Sequence, residues 1–177
     1  GTVPFFIFFM YGRGFLRNHK KMELSIFISL TIFLLLSFIV KKQKLTLFEN
    51  IFLYIIVEFM VTSYCAILYI NVDVWHVANK AGLFIIFRIY EAIVYPAIWL
   101  WYFNLHPQRV AKLSRLLLAF LFVGIECVVE KALVLLGVII YKDWQVWQSV
   151  LVQILVLVMT SVLLTWFQTI LKKEGIH

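Results

Sequence analysis

Residues 116–140 read LLLAFLFVGIECVVEKALVLLGVII, a run apolar enough to cross a bilayer except that Glu126, Glu130 and Lys131 stand inside it. At about 1.5 Å of rise per residue, a helix of this length matches the roughly 30 Å hydrocarbon core of a membrane. An ionisable side chain near the centre of such a helix costs about 2.5–3.5 kcal/mol, so it is paired, turned to a cavity, or functional. Working outward, four further stretches have the same character: 23–40, 47–70, 82–103 and 144–171. Two of them add Glu58, Arg88 and Glu91 to the set of charges within spans.

The chain as a whole is 64% apolar, with a mean hydropathy of +0.98. That composition excludes an ordinary soluble domain. Continuous apolar runs without two-residue alternation exclude a transmembrane barrel. The expected fold is therefore all-α, a polytopic membrane protein built as a five-transmembrane-helix bundle, with residues 22–177 forming one membrane domain. Trp75, Trp99, Trp101, Tyr102, Trp144, Trp147 and Trp166 fall near span ends, as interfacial anchors do. The net charge of +7 does not point to nucleic acid, because the basic residues are dispersed among short loops. Cys65 and Cys127 both lie inside spans and read as small packing residues, not as a disulfide or zinc pair.

Charge sets the orientation. Lys41, Lys42, Lys44, Arg109, Lys112, Arg115, Lys172 and Lys173 gather on one side, and only Lys80 and Lys142 on the other. The expectation is a plasma-membrane protein with its N-terminus outside and its C-terminus in the cytoplasm. Residues 1–21 oppose this by adding Arg13, Arg17, Lys20 and Lys21 outside. Either the native chain starts at Met22 and 1–21 is an upstream extension, or 1–21 is an interfacial segment with Phe5, Phe6, Phe8 and Phe9 in lipid.

Helical rise and the predicted topology place the charges in one layer from the midplane to the outer leaflet. Arg88 and Glu91 are three apart and can pair on one face. Glu126 and Glu130 are four apart on another, where like charges repel. Lys131 is about 100° around from Glu130 and is expected to answer a carboxylate on a different helix. Glu58, Arg88, Glu91, Glu126, Glu130, Lys131 and Gln153 are thus the candidate ligand- or ion-binding residues, with Ser149, Tyr64, Tyr90 and Tyr95 nearby. Four carboxylates against two cations imply that at least one is protonated, binds a cation, or faces water. Pro96 should free the Ala92 carbonyl and disturb the third helix. The bland alternative is that the same charges only hold the helices in register.

Enzyme motifs are absent from the sequence: no Gly-rich phosphate loop, no His-Glu-x-x-His pair and no Gly-x-Ser-x-Gly elbow. No catalytic residue, metal ligand or cofactor is expected. The histidines fall in loops or tails; His76, beside Trp75 and Asp73, is either a solvated loop residue or part of a pH-sensitive loop. The row Arg109, Lys112, Arg115 could grip anionic headgroups or simply set topology.

From Met22 onward the chain resembles a family of small uncharacterised multi-pass membrane proteins of spore-forming bacilli and clostridia. The resemblance is carried by Tyr90-Glu91, Tyr95-Pro96, Trp101-Tyr102, Glu126, Trp144-x-x-Trp147-x-Ser149 and the turn Lys41-Lys42-Gln43-Lys44. It implies an integral membrane protein of a Gram-positive bacterium and brings no activity or site residue with it. The expected function is to bind or transport a small polar or cationic species, or a lipid headgroup, through a charged intramembrane cavity. The alternatives are a non-catalytic accessory or assembly subunit of a membrane complex and, third, a lipid-acting intramembrane enzyme using Glu126 and Glu130. Expected partners are membrane lipids, with a membrane-protein partner or a homo-oligomer as further options.

Overall fold

The computed structural model describes residues 24–105 and 112–175, so the expectations for residues 1–21 and for Arg109 lie outside the described residues. Five helices account for most of the chain: α1 (Leu24–Val40), α2 (Leu47–Asn71), α3 (Ala81–Leu105), α4 (Lys112–Leu135) and α5 (Val146–Lys173). Helices α2, α3 and α5 are long and apolar enough to cross a membrane. Helix α1 is apolar but shorter, and α4 carries the three charges of the opening stretch.

The bundle has an apolar core with polar residues set into it, and its outer faces are apolar too. On α5 the buried stripe includes Ser149, Gln153 and Thr160, while Leu151, Leu155, Val158 and Val162 are exposed. On α2, Leu53, Val57, Val61 and Cys65 face inward at four-residue spacing, and Ile51, Ile55 and Phe59 face out. Exposed aliphatic faces with polar residues turned inward suit a hydrocarbon surround, where helices associate through close packing and interhelical hydrogen bonds. Helix α2 packs on α5 and on the C-terminal half of α3, and α4 packs on both.

Two polar assemblies close the ends. At one, a two-stranded antiparallel sheet pairs β1 (Trp75–Val77) with β2 (Ile139–Tyr141), in the register Trp75 to Tyr141 and Val77 to Ile139. This corrects the expectation of continuous helix across 116–140. Gly137 adopts φ 68°, its amide bonds to the Val134 carbonyl, and the Val138 amide bonds to that of Leu133. That pattern is a Schellman stop, which needs a left-handed residue and so favours glycine. Ile139, Ile140 and Tyr141, whose β-branched and aromatic side chains favour strand, are thereby released to pair. Beside the sheet, Asp73 at φ 56° accepts from Lys142 Nζ at 2.6 Å and lies 3.2 Å from His76 Nδ1. His76 is thus a strand residue with its side chain 37% exposed, not a loop residue.

At the other end, Asn104 joins three elements. Its amide nitrogen donates to Asn50 Oδ1 at 2.7 Å, and its Oδ1 accepts from the Lys44 and Leu45 amides at 3.0 and 3.1 Å. Asn50 in turn donates to Gln43 Oε1 and the Leu45 carbonyl. Thr46 and Glu49 form a capping box at the start of α2, and Gln168 of α5 donates to Glu49 Oε1 at 2.7 Å. The turn after α1 and helices α2, α3 and α5 are held together by these bonds.

Two predictions follow from the ends. Replacing Asn104 with Leu leaves the Lys44 and Leu45 amides and the Asn50 side chain short of partners, which should cost about 1–3 kcal/mol per stranded group. Denaturant titration of the protein in detergent should show a lowered midpoint, and an unchanged one would remove the tie from the account. At the sheet, the Lys142 ammonium holds the Asp73 carboxyl below its ordinary value. A lowered carboxyl contributes stability fully above the unfolded-chain pKa of about 3.9 and loses it as pH falls through the lowered value. The hydrogen-exchange protection factor of the Lys142 amide, which bonds to the Val74 carbonyl at 2.9 Å, should therefore drop in that acid range. Asp73→Asn should abolish the drop while keeping a residue that tolerates positive φ.

Candidate functional site

The candidate site lies beneath the sheet, where α4, α5 and the middle of α3 meet. Glu126 and Glu130 stand one turn apart on α4, 0% and 4% exposed. Glu130 Oε1 accepts from the Tyr141 hydroxyl on β2 and from Ser149 Oγ on α5, the latter at 2.7 Å. Trp144 Nε1 donates to the same Ser149 oxygen at 2.8 Å, so an indole, a hydroxyl and a carboxylate form a chain. Burial, reinforced by the Glu130 carboxylate, raises the Tyr141 phenol well above its ordinary range. Tyr141 is consequently a hydrogen-bond donor at any physiological pH.

Glu126 is held differently. Among the described residues neither of its oxygens has a partner at full hydrogen-bond geometry, although the Tyr90 phenol of α3 approaches as a long, weak donor and the Tyr95 phenol lies within electrostatic reach. The Tyr95 hydroxyl donates to Gln153 Oε1 at 2.6 Å. Gln153 is fully buried and, among the described residues, its Nε2, Glu130 Oε2 and the Tyr64 hydroxyl have no partner at full hydrogen-bond geometry, the Tyr64 hydroxyl lying near Ser149. Unpaired buried polar atoms are few in folded proteins, and each carries a penalty of about 1–3 kcal/mol. Among the described residues, five of them gather around one carboxylate pair, which makes it the candidate site; the Nε1 atoms of Trp75, Trp99 and Trp101 are unpartnered as well.

Aromatic rings roof the site. Tyr64 lies 6.1 Å from Trp75 and 6.2 Å from Trp144 between ring centroids, and Trp75 meets Phe87 edge-on at 6.0 Å. The carboxylates are thus enclosed beneath the sheet and its tryptophans, not set at an open mouth.

The structure brings Glu126, Glu130 and Gln153 together. Glu91 is buried nearby but is engaged by Arg88, whose Nη1 lies 2.5 Å from Glu91 Oε2 while the rest of that side chain is 57% exposed over Phe84. This is the i, i+3 pair that the spacing predicts. Cys65 sits within electrostatic reach of both Glu91 and Glu130. Two candidates lie apart. Glu58 is half-buried and, among the described residues, accepts only from Thr62 on its own helix at 3.2 Å. Lys131 is exposed on α4 and forms no ion pair among the described residues, so it does not answer a carboxylate on a neighbouring helix.

Sequence reasoning missed Tyr141, Asn50, Asn104 and Gln168. Tyr141 falls just past the expected span of 116–140, in an expected connection; the signal that could have found it is Gly137 followed by a β-branched run. The Ala92 carbonyl that Pro96 leaves unserved accepts the Tyr54 hydroxyl at 2.9 Å, and the turn at Tyr90–Val94 is widened to π-helix. That widening is what turns the Tyr90 and Tyr95 rings toward each other, edge to face at 5.9 Å.

Among the described residues no group of three His, Cys, Asp or Glu side chains is arranged to hold a metal ion. The chain matches no protein-family model, no curated protein and no solved structure.

Proposed function

We propose that this is a five-span integral membrane protein of the plasma membrane that binds a proton or a small monovalent cation at the Glu126–Glu130 pair. The observation that carries the reading is the pair itself. Two buried carboxylates stand one turn apart, three of their four oxygens are unpartnered, and no cationic side chain among the described residues lies within ion-pair distance of them. In a low dielectric two such charges repel strongly, and a shared proton or a bound cation relieves that repulsion. The neutral oxygens of Tyr90, Tyr95 and Gln153, with only two carboxylates, suit a monovalent guest better than a divalent metal.

Chain direction supports five crossings. Helix α3 ends beside Asn104, whereas α5 starts beside the sheet, so α4 runs the length between them. Its 24 residues rise about 36 Å. Helix α1 rises about 25 Å, which the long stems of Lys41 and Lys42 extend toward the headgroups. The basic residues cluster at the Asn104 end, which supports a cytoplasmic C-terminus and an outward-facing sheet. The resemblance to membrane proteins of bacilli and clostridia supports a plasma-membrane setting.

The test is linkage between guest and stability. In detergent, the unfolding midpoint of the protein should rise with the concentration of sodium, potassium or methylammonium, or change across about pH 5 to 8. A guest at a hundredfold excess over its dissociation constant stabilises by about 2.7 kcal/mol. Glu126→Gln should flatten the response while the protein still folds. If the wild-type midpoint is indifferent to cations and to pH, the reading fails.

A second reading, an accessory subunit, rests on Lys131, an exposed cation on a helix face that meets lipid. Such a residue pairs with a carboxylate on another protein's helix. Under that reading Lys131→Leu keeps the isolated protein stable but loses a stoichiometric partner in pull-downs from native membrane. Recovery of no such partner with the wild-type protein would dismiss it.

A further inference from the structure

Beside the carboxylate site, and separate from it, a cavity of about 570 Å³ opens between α1, α3 and α4. Its wall is almost wholly apolar, with Leu34 on α1, Ile98 and Trp101 on α3, and Ile125 and Val129 on α4. Along α1 it extends from Phe27 to Ser37, a rise of about 15 Å, or half the roughly 30 Å hydrocarbon thickness. The slot therefore has the depth of one leaflet.

Its end is not apolar. Trp101 and Ser37 line the cavity toward the Asn104 end of the bundle, and Lys41 Nζ stands 4.7 Å over the Trp101 ring. Lys42 and Lys44 follow in the same turn. An apolar slot one leaflet deep that ends beside the Lys41 ammonium has the shape and charge to take one kind of molecule.

We infer that this groove is a binding site for an anionic phospholipid of the leaflet at the basic end, with an acyl chain lying between α1 and the α3–α4 wall and the phosphate at Lys41. The parts divide the work. Trp101 bridges the levels, its ring packed edge-on against Phe38 at 6.0 Å and its face under the Lys41 ammonium. That cation–π contact places the ammonium at the slot's mouth, where anionic headgroups lie. Basic pockets between membrane helices recognise anionic lipids in this manner. The inference stands whether or not the carboxylate pair binds a cation, because the two sites share no residue.

Native mass spectrometry tests it. The full chain is reconstituted in vesicles holding equal phosphatidylglycerol and phosphatidylcholine, then released gently. The wild-type protein should retain one phosphatidylglycerol in preference to phosphatidylcholine, and Lys41→Gln should reduce that preference roughly fivefold. Val129→Trp, which fills the slot, should lower retention of both lipids. A further measurement needs no variant: phosphatidylglycerol brominated on its acyl chains should quench the protein's tryptophan emission more than brominated phosphatidylcholine at the same mole fraction. Retention and quenching that ignore the headgroup overturn the inference. So does a dimer mass without bound lipid, which would mean that a second copy of the chain fills the groove.

Discussion

An unpaired polar group in hydrocarbon costs several kcal/mol, and no water is at hand to serve it. That constraint organises the bundle. Asparagines, glutamines, serines and tyrosines occupy the inward stripes and join different helices, while the outward faces of α2, α4 and α5 are aliphatic. Where a helix must stop, its last carbonyls are served locally, as the turn at Gly137 serves those of Leu133 and Val134. Where proline removes a donor, a side chain from the next helix replaces it, as Tyr54 does at Ala92. Against this pattern, several buried polar atoms among the described residues stay unpartnered, and the oxygens of Glu126 and Glu130 are the acidic ones among them.

The two ends of the molecule solve different problems. The Asn50–Asn104 assembly uses neutral groups in a connected network, and each asparagine serves several partners. A network of that kind fixes register without charge, and it suits a structural role. The sheet end is built from fewer and more exposed contacts: a three-residue pairing, one surface ion pair at Asp73 and a set of edge-on aromatic rings. Its link to the interior is Tyr141, which reaches from β2 to Glu130. The sheet thus holds one of the two carboxylates directly, through a phenol.

Much of the fold was legible in composition and run length. The stretches 47–70, 82–103 and 144–171 lie almost within α2, α3 and α5, because twenty or so apolar residues have no other stable form in a bilayer. The sheet was not legible, since Ile139-Ile140-Tyr141 is as apolar as the helix before it and only Gly137 marks the boundary. Within the candidate site, face arithmetic placed Glu126 and Glu130 together and Arg88 with Glu91. It could not place Glu58 or Lys131, because knowing a residue's angle on its own helix does not say which neighbour, if any, lies on that side. Glu58 follows Val57 by about 100° and so leaves the buried stripe of Leu53, Val57 and Val61.

The wide turn at Tyr90–Val94 has a geometric consequence for α3. Residues five apart on a regular α-helix point about 140° away from each other, so a straight α3 could offer the carboxylate pair only one of Tyr90 and Tyr95. With one extra residue in the turn, both phenols are buried on the same side. The helix is thereby divided into two phases, each keyed to its own neighbours. Residues before Tyr90 are set by the sheet end, and residues after Tyr95 by the asparagine tie. Each half thereby keeps the facing that its own neighbours require, and the seam between them falls at the candidate site.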